Sequence, residues 1–171
     1  MNGFSGLVNR IANLLLGKSA IVVWIGAMLL AQSAQAIEAE YVDLKGNSVR
    51  LSDYKGKWVV VNYWATWCPP CVKEIPELAA FHEAHANKDA IVLGVNHEDK
   101  DPAAVRAFMD NFMATMPIVR AADGPASKTP FGALKGLPTT FMITPQGELV
   151  AAHTGMVNQE ALETFIKENS K

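Results

Sequence analysis

Beyond residue 36, apolar runs alternate with helical periodicities. Trp58-Val59-Val60-Val61-Asn62-Tyr63-Trp64 is β-branched or aromatic at nearly every position, the pattern of a strand buried on both faces. Ala90-Ile91-Val92-Leu93-Gly94-Val95 is a second such run, and the segment between the two, from Pro69 to about Ala86, reads as a helix. Asp101-Pro102 places an N-cap residue before a proline at the first helical position, which predicts a helix running to about Met113. Strand, helix, strand, helix implies parallel pairing through crossover helices.

The two ends of this region follow a different pattern. Tyr41 to Leu44 and Ser48 to Leu51 flank Lys45-Gly46-Asn47, a small hairpin with a Gly-Asn turn. Thr139 to Thr144 and Glu148 to Ala152 are separated by Pro145-Gln146-Gly147, again an antiparallel hairpin signal. Asn158 to Glu168 then carries Leu162, Phe165 and Ile166 at helical spacing. The sum is an α/β domain with a mixed sheet and helices on both faces.

The first 36 residues stand apart. They hold Arg10 and Lys18 but no acidic residue, then an uncharged run from Ser19 to Ala31, then Ala34-Gln35-Ala36. A basic start, an apolar middle and an A-x-A site mark a secretory signal peptide, cleaved after Ala36. The apolar run is short for a span of roughly 30 Å of hydrocarbon, although an uncleaved membrane anchor stays open if Gln32 and Gln35 are tolerated. Either reading puts residues 37–171 outside the cytoplasm as one domain.

Across all 171 residues, 15 basic side chains face 17 acidic ones, which excludes the basic field of a nucleic-acid binder. Two cysteines cannot staple a disulfide scaffold, so stability comes from a packed core.

Those two cysteines carry the chemistry. Trp67-Cys68-Pro69-Pro70-Cys71 sets two thiols three residues apart where a strand hands over to a helix. At the helix N-terminus, unpaired N–H groups and the positive end of the dipole favour a thiolate, which makes Cys68 the exposed nucleophile. Cys71, one turn on and partly beneath it, is placed to attack a mixed disulfide that Cys68 forms. Pro69 and Pro70 stiffen the turn without stranding an N–H. An inert disulfide is the plainer alternative, but closing so short a loop restricts the unfolded chain little. Zinc is another: His82 and His85 begin eleven residues past Cys71, roughly 16 Å along one helix, and read instead as a solvated surface pair. His97 and His153 read as isolated surface or packing residues.

Val59 to Cys71, with Glu74 and Pro76 behind it and Gly136-Leu137-Pro138-Thr139-Thr140-Phe141 about 65 residues later, resembles the thioredoxin superfamily. More narrowly, Glu40 to Lys171 is similar to the exported TlpA/ResA/DsbE-type thiol-disulfide oxidoreductases. The resemblance implies a thioredoxin-like fold, a central mixed sheet flanked by helices, extended by an N-terminal β-hairpin at residues 40–52. It implies that Cys68 is the nucleophile, Cys71 the resolving cysteine and Pro138 a cis-proline. The backbone of Leu137 would pair with an extended substrate segment, and Trp67 would cover the disulfide.

Where cytoplasmic thioredoxins place a buried Asp beneath the site, this chain has Asn62, which cannot take a proton. The same branch carries a glutamate at the position of Glu74, one helical turn from Cys71, as the carboxylate that tunes the thiols and relays protons.

The activity implied is that of a periplasmic disulfide reductase, a monomer with no cofactor beyond the Cys68-Cys71 disulfide. It would act on exported proteins, apocytochrome c among them, and draw electrons from a membrane thiol donor of the DsbD/CcdA type. Thiol oxidase or isomerase activity stays open. So does a Cu(I) chaperone using the thiolates with Met109, Met113 and Met116. A redoxin-type peroxidase needs P-x-x-x-T-x-x-C, whereas here Thr66 stands two residues before Cys68.

Overall fold

The computed structural model describes residues 36–125 and 128–170; residues 1–35 of the expected leader lie outside the described residues. A seven-stranded sheet organises them, in the order Ser48–Arg50 (β2), Glu40–Asp43 (β1), Ile118–Arg120 (β5), Ala90–Asn96 (β4), Trp58–Trp64 (β3), Thr139–Ile143 (β8) and Leu149–Thr154 (β9). At its centre, β3 (Trp58–Trp64) pairs in parallel with β4 (Ala90–Asn96) and antiparallel with β8 (Thr139–Ile143). Every residue of these three strands is buried, as expected of strands covered on both faces. On one side β9 (Leu149–Thr154) closes the sheet against β8. On the other, the expected N-terminal hairpin, β1 (Glu40–Asp43) and β2 (Ser48–Arg50), joins the sheet antiparallel to β5 (Ile118–Arg120).

Alternation along β3 divides the core in two. Trp58, Val60 and Trp64 join Val92 of β4 and Met142 of β8 in one cluster, while Val59, Val61 and Tyr63 join Ile91, Leu93, Val95, Phe141 and Ile143 in the other. The first cluster takes Ile75, Leu78 and Phe81 of α1 (Pro69–His85), Val105 and Met109 of α2 (Pro102–Asp110), and Leu162 and Ile166 of α3 (Gln159–Asn169). All three α-helices of the described residues therefore pack on one face, which corrects the expectation of helices on both. For α1 and α2 the cause is topological: β3 to β4 and β4 to β5 are parallel steps in the same direction across the sheet, and right-handed crossovers then fall on one side. Tyr41, Leu51, Tyr54, Phe131 and Leu134 cover the opposite face. Leu51 and Tyr54 come from a 3-10 turn (Leu51–Tyr54), and Phe131 from the turn between β6 (Lys128–Thr129) and β7 (Gly132–Ala133).

α2 stops at Asp110, short of Met113. Asn111 caps it by donating from Nδ2 to the carbonyls of Ala107 (3.1 Å) and Phe108 (3.0 Å), and Met113 takes a positive φ of 51° that no helix continues through.

Candidate active site

β3 ends at Trp64, three residues link it to Cys68, and α1 begins at Pro69. Cys68 is the N-cap, with extended backbone, and its sulfur accepts the Cys71 N–H at 3.3 Å. Pro69 and Pro70 occupy the first helical positions, where a missing N–H costs nothing. Cys68 and Cys71 are joined by a disulfide with their Cα atoms 5.3 Å apart. Cys71 is fully buried. Cys68 is only 3% exposed, so the expected open nucleophile is corrected: bonded to Cys71 and turned over the first helical turn, its sulfur lies against the helix-side core. Beside it Trp67 projects into solvent, 66% exposed.

Glu74 sits one turn beyond Cys71 and is completely buried. Its Oε1 accepts from Nδ2 of Asn62 at 2.7 Å, and its Oε2 accepts the Val157 N–H at 3.0 Å. Asn62 Nδ2 also donates to Thr140 Oγ1 at 3.0 Å, which ties β3, β8, α1 and the start of α3 to one carboxyl group. Burial pushes that carboxyl up to about 7, against the downward pull of the Val157 N–H and the Asn62 amide. A group with this midpoint can hold or release a proton near neutral pH.

Leu137-Pro138 is a cis peptide. Tyr63 pairs with Thr139, so Pro138 lies at the same end of the sheet as the Cys68 link. The Pro138 carbonyl accepts the Gly155 N–H at 2.9 Å, and Leu137 packs half-buried against both core clusters. Next to Glu74 an apolar cleft of about 570 Å³ opens between α1, the β8-β9 hairpin and α3, with Met142, Met156, Val157 and Phe165 in its wall and Lys73 and Glu77 at its rim.

Several sequence expectations resolve differently. His82 is not a solvated partner of His85: it is buried, and its Nδ1 accepts the Val92 N–H at 3.1 Å, so the ring faces the sheet, with its pKa lowered chiefly by burial. His85 stacks on Phe81 and contacts Asp89 at 2.8 Å. Met109 and Met116 are buried in the core cluster that holds the two cysteines, while Met113 is 88% exposed and stands apart from them. Sequence reasoning missed Glu98, whose carboxylate grips Thr66, and Val157, which holds Glu74 from 83 residues away.

A thioredoxin-like sheet with a Cys-Pro-Pro-Cys disulfide capping the helix after its central strand, and a cis-proline at the same end of the sheet, defines a thiol-disulfide oxidoreductase. Residues 30–152 match the AhpC/TSA family. "Thiol-disulfide oxidoreductase ResA" of Halalkalibacterium halodurans is 31% identical over 133 residues, 78% of this chain and 74% of that protein. Among solved structures, a DsbF homologue from Corynebacterium diphtheriae superposes with a TM-score of 0.69 at 28% identity, over 81% of this chain and 88% of that one. The exposed lipoprotein thioredoxin of Streptococcus pneumoniae superposes at 0.65 with 26% identity, over 77% and 98%. The chain belongs to the AhpC/TSA family, and it is similar to thiol-disulfide oxidoreductases named ResA.

Proposed function

We propose that this protein is a periplasmic reductase of disulfides in exported proteins, working as a monomer, with Cys68 as nucleophile, Cys71 as resolving thiol and Glu74 as the proton relay between them. In the reduced enzyme the Cys68 thiolate attacks one sulfur of a substrate disulfide; a mixed disulfide forms and the other substrate sulfur leaves as a thiolate. Cys71 gives its proton to Glu74 and attacks the Cys68 sulfur. The second substrate sulfur leaves, and two electrons have passed from the dithiol to the substrate. Pro138 and Leu137 offer backbone to an extended substrate segment, and Trp67 offers an exposed aromatic face beside the sulfurs.

The observation that carries this reading is the buried Glu74, one turn from a fully buried Cys71, with its carboxyl pushed up to about 7. Cys71 reacts only as a thiolate, and a sulfur shut off from water needs a neighbouring base. The chain holds two cysteines in all, so the dithiol must be recharged by an outside thiol, here a membrane donor of the DsbD/CcdA type. Supporting export are the Arg10-Lys18, Ser19–Ala31 and Ala34-Gln35-Ala36 pattern and the surface location named for the pneumococcal neighbour. Apocytochrome c is the substrate class proposed.

The test is reduction of insulin by the full chain. Glu74→Gln should slow turnover at least tenfold between pH 6 and 8 with the Cys68 alkylation rate less affected. Unchanged turnover in a folded variant removes Glu74 from the mechanism.

A further inference from the structure

The link from β3 to Cys68 is held by a carboxylate from another loop. Glu98 follows β4, and its Oε1 accepts the Thr66 N–H at 2.9 Å while its Oε2 accepts the Thr66 hydroxyl at 3.1 Å. Asn96 Nδ2 donates to Oε1 at 2.9 Å, so both oxygens of Glu98 are engaged. Lys100 Nζ donates to Thr66 Oγ1 at 3.1 Å, and the Lys100 carbonyl in turn accepts from Arg120. One residue earlier in this loop, the His97 N–H donates to the Trp64 carbonyl at 2.8 Å. Two loops at the same end of the sheet are thereby stitched together across 32 residues of sequence, immediately before the reactive pair.

We infer that Glu98 is a positioning residue for thiol-disulfide exchange: by holding Thr66 through both backbone and hydroxyl, it fixes the link that carries Trp67 and Cys68. Exchange needs the attacking sulfur aligned with the bond it breaks, and small misplacements of a reacting group cost rate steeply. From the helix side, Cys68 is fixed by its own cap on the Cys71 N–H. From the strand side, the link's internal hydrogen bond is the 3.2 Å turn from the Cys68 N–H to the Ala65 carbonyl. Glu98, through two bonds, and Lys100, through one, hold Thr66 from the neighbouring loop. The Glu98 bonds end on a carboxylate and are charge-assisted, which strengthens them relative to neutral ones. The inference rests on Cys68 being the attacking sulfur and is independent of the direction of electron flow.

The experiment is insulin reduction by the full chain carrying Glu98→Ala, Thr66→Val or Thr66→Ser, with melting temperature and the pH profile of Cys68 alkylation read on each. Glu98→Ala should lower kcat about tenfold with KM within twofold of the parent. Thr66→Val, which keeps the backbone bond, should lose about threefold, and Thr66→Ser should restore that loss. The Thr66→Val, Glu98→Ala double variant should fall no further than Glu98→Ala alone. A full kcat in Glu98→Ala overturns the inference, as does a Thr66→Ser variant as slow as Thr66→Val, since the hydroxyl would then be irrelevant. If Glu98→Ala melts too low to assay, the Thr66 pair decides alone. Failure of Cys68 itself as nucleophile shows separately, because Cys71→Ser would then trap no mixed disulfide in the parent background.

Discussion

Ionisation of Glu74 should make the oxidised protein less stable as pH rises, and Glu74→Gln should abolish that dependence. The ordinary midpoint of 4.5 moves to about 7 in the fold, so between these values the folded state binds about one proton more than the unfolded chain. The stabilisation is complete below about pH 4.5 and is lost as pH climbs through 7. Each pH unit between the two midpoints corresponds to about 1.4 kcal/mol, so the full loss is about 3 kcal/mol. A glutamine cannot ionise, but it has one oxygen where Asn62 and Val157 each use their own, so it forfeits a hydrogen bond worth about 1–3 kcal/mol at every pH. The two effects separate in urea unfolding followed by tryptophan fluorescence from pH 5 to 8.5. Glu74→Gln should be the weaker protein at pH 5 and equal to or stronger than the parent at pH 8.5. His82 and His97, whose midpoints are lowered by burial and which destabilise in the opposite direction as pH falls, cancel in the difference. Parallel curves for the two proteins would mean that Glu74 titrates alike in the folded and the unfolded chain.

Asn62→Asp replaces the donor to Glu74 with a second carboxylate at 2.7 Å, so one of the pair should keep its proton well above pH 7 and unfolding at pH 8 should come about 3 kcal/mol earlier, with much of the loss recovered at pH 5. His82→Ala should cost about 1–3 kcal/mol by stranding the Val92 N–H, against less than about 1 kcal/mol for His85→Ala, both read by urea unfolding. Cys71→Ser should accumulate a mixed disulfide with a polypeptide substrate while Cys68→Ser accumulates none, as non-reducing electrophoresis would reveal; trapping by Cys68→Ser instead would exchange the two roles.

Local chemistry announced much of this. The Asp101-Pro102 cap, the Gly-Asn hairpin turn and the Trp58–Trp64 run each appear where the residues alone predicted. So do the reactive pair, because Cys68-Pro69-Pro70-Cys71 is its own signal. What escaped depends on distant partners. β5 is three residues behind Pro117 and becomes a strand because β4 and β1 offer pairing on either side. β6 and β7 are two residues each, too short to leave a period. His82 looked solvated because its partner is a backbone N–H on β4. Glu74 was legible by its spacing from Cys71, yet the groups that set its midpoint, Asn62 and Val157, lie 12 and 83 residues away. The placement of α1 and α2 on a single face follows from strand order, which periodicity does not encode.

Whether the dithiol donates electrons is decided by the reduction potential of the Cys68-Cys71 pair, measured by equilibration in dithiothreitol or glutathione buffers with thiol trapping. A reductase role requires a value near that of thioredoxin, about −270 mV. A value near −120 mV, that of a strong thiol oxidant, would contradict it.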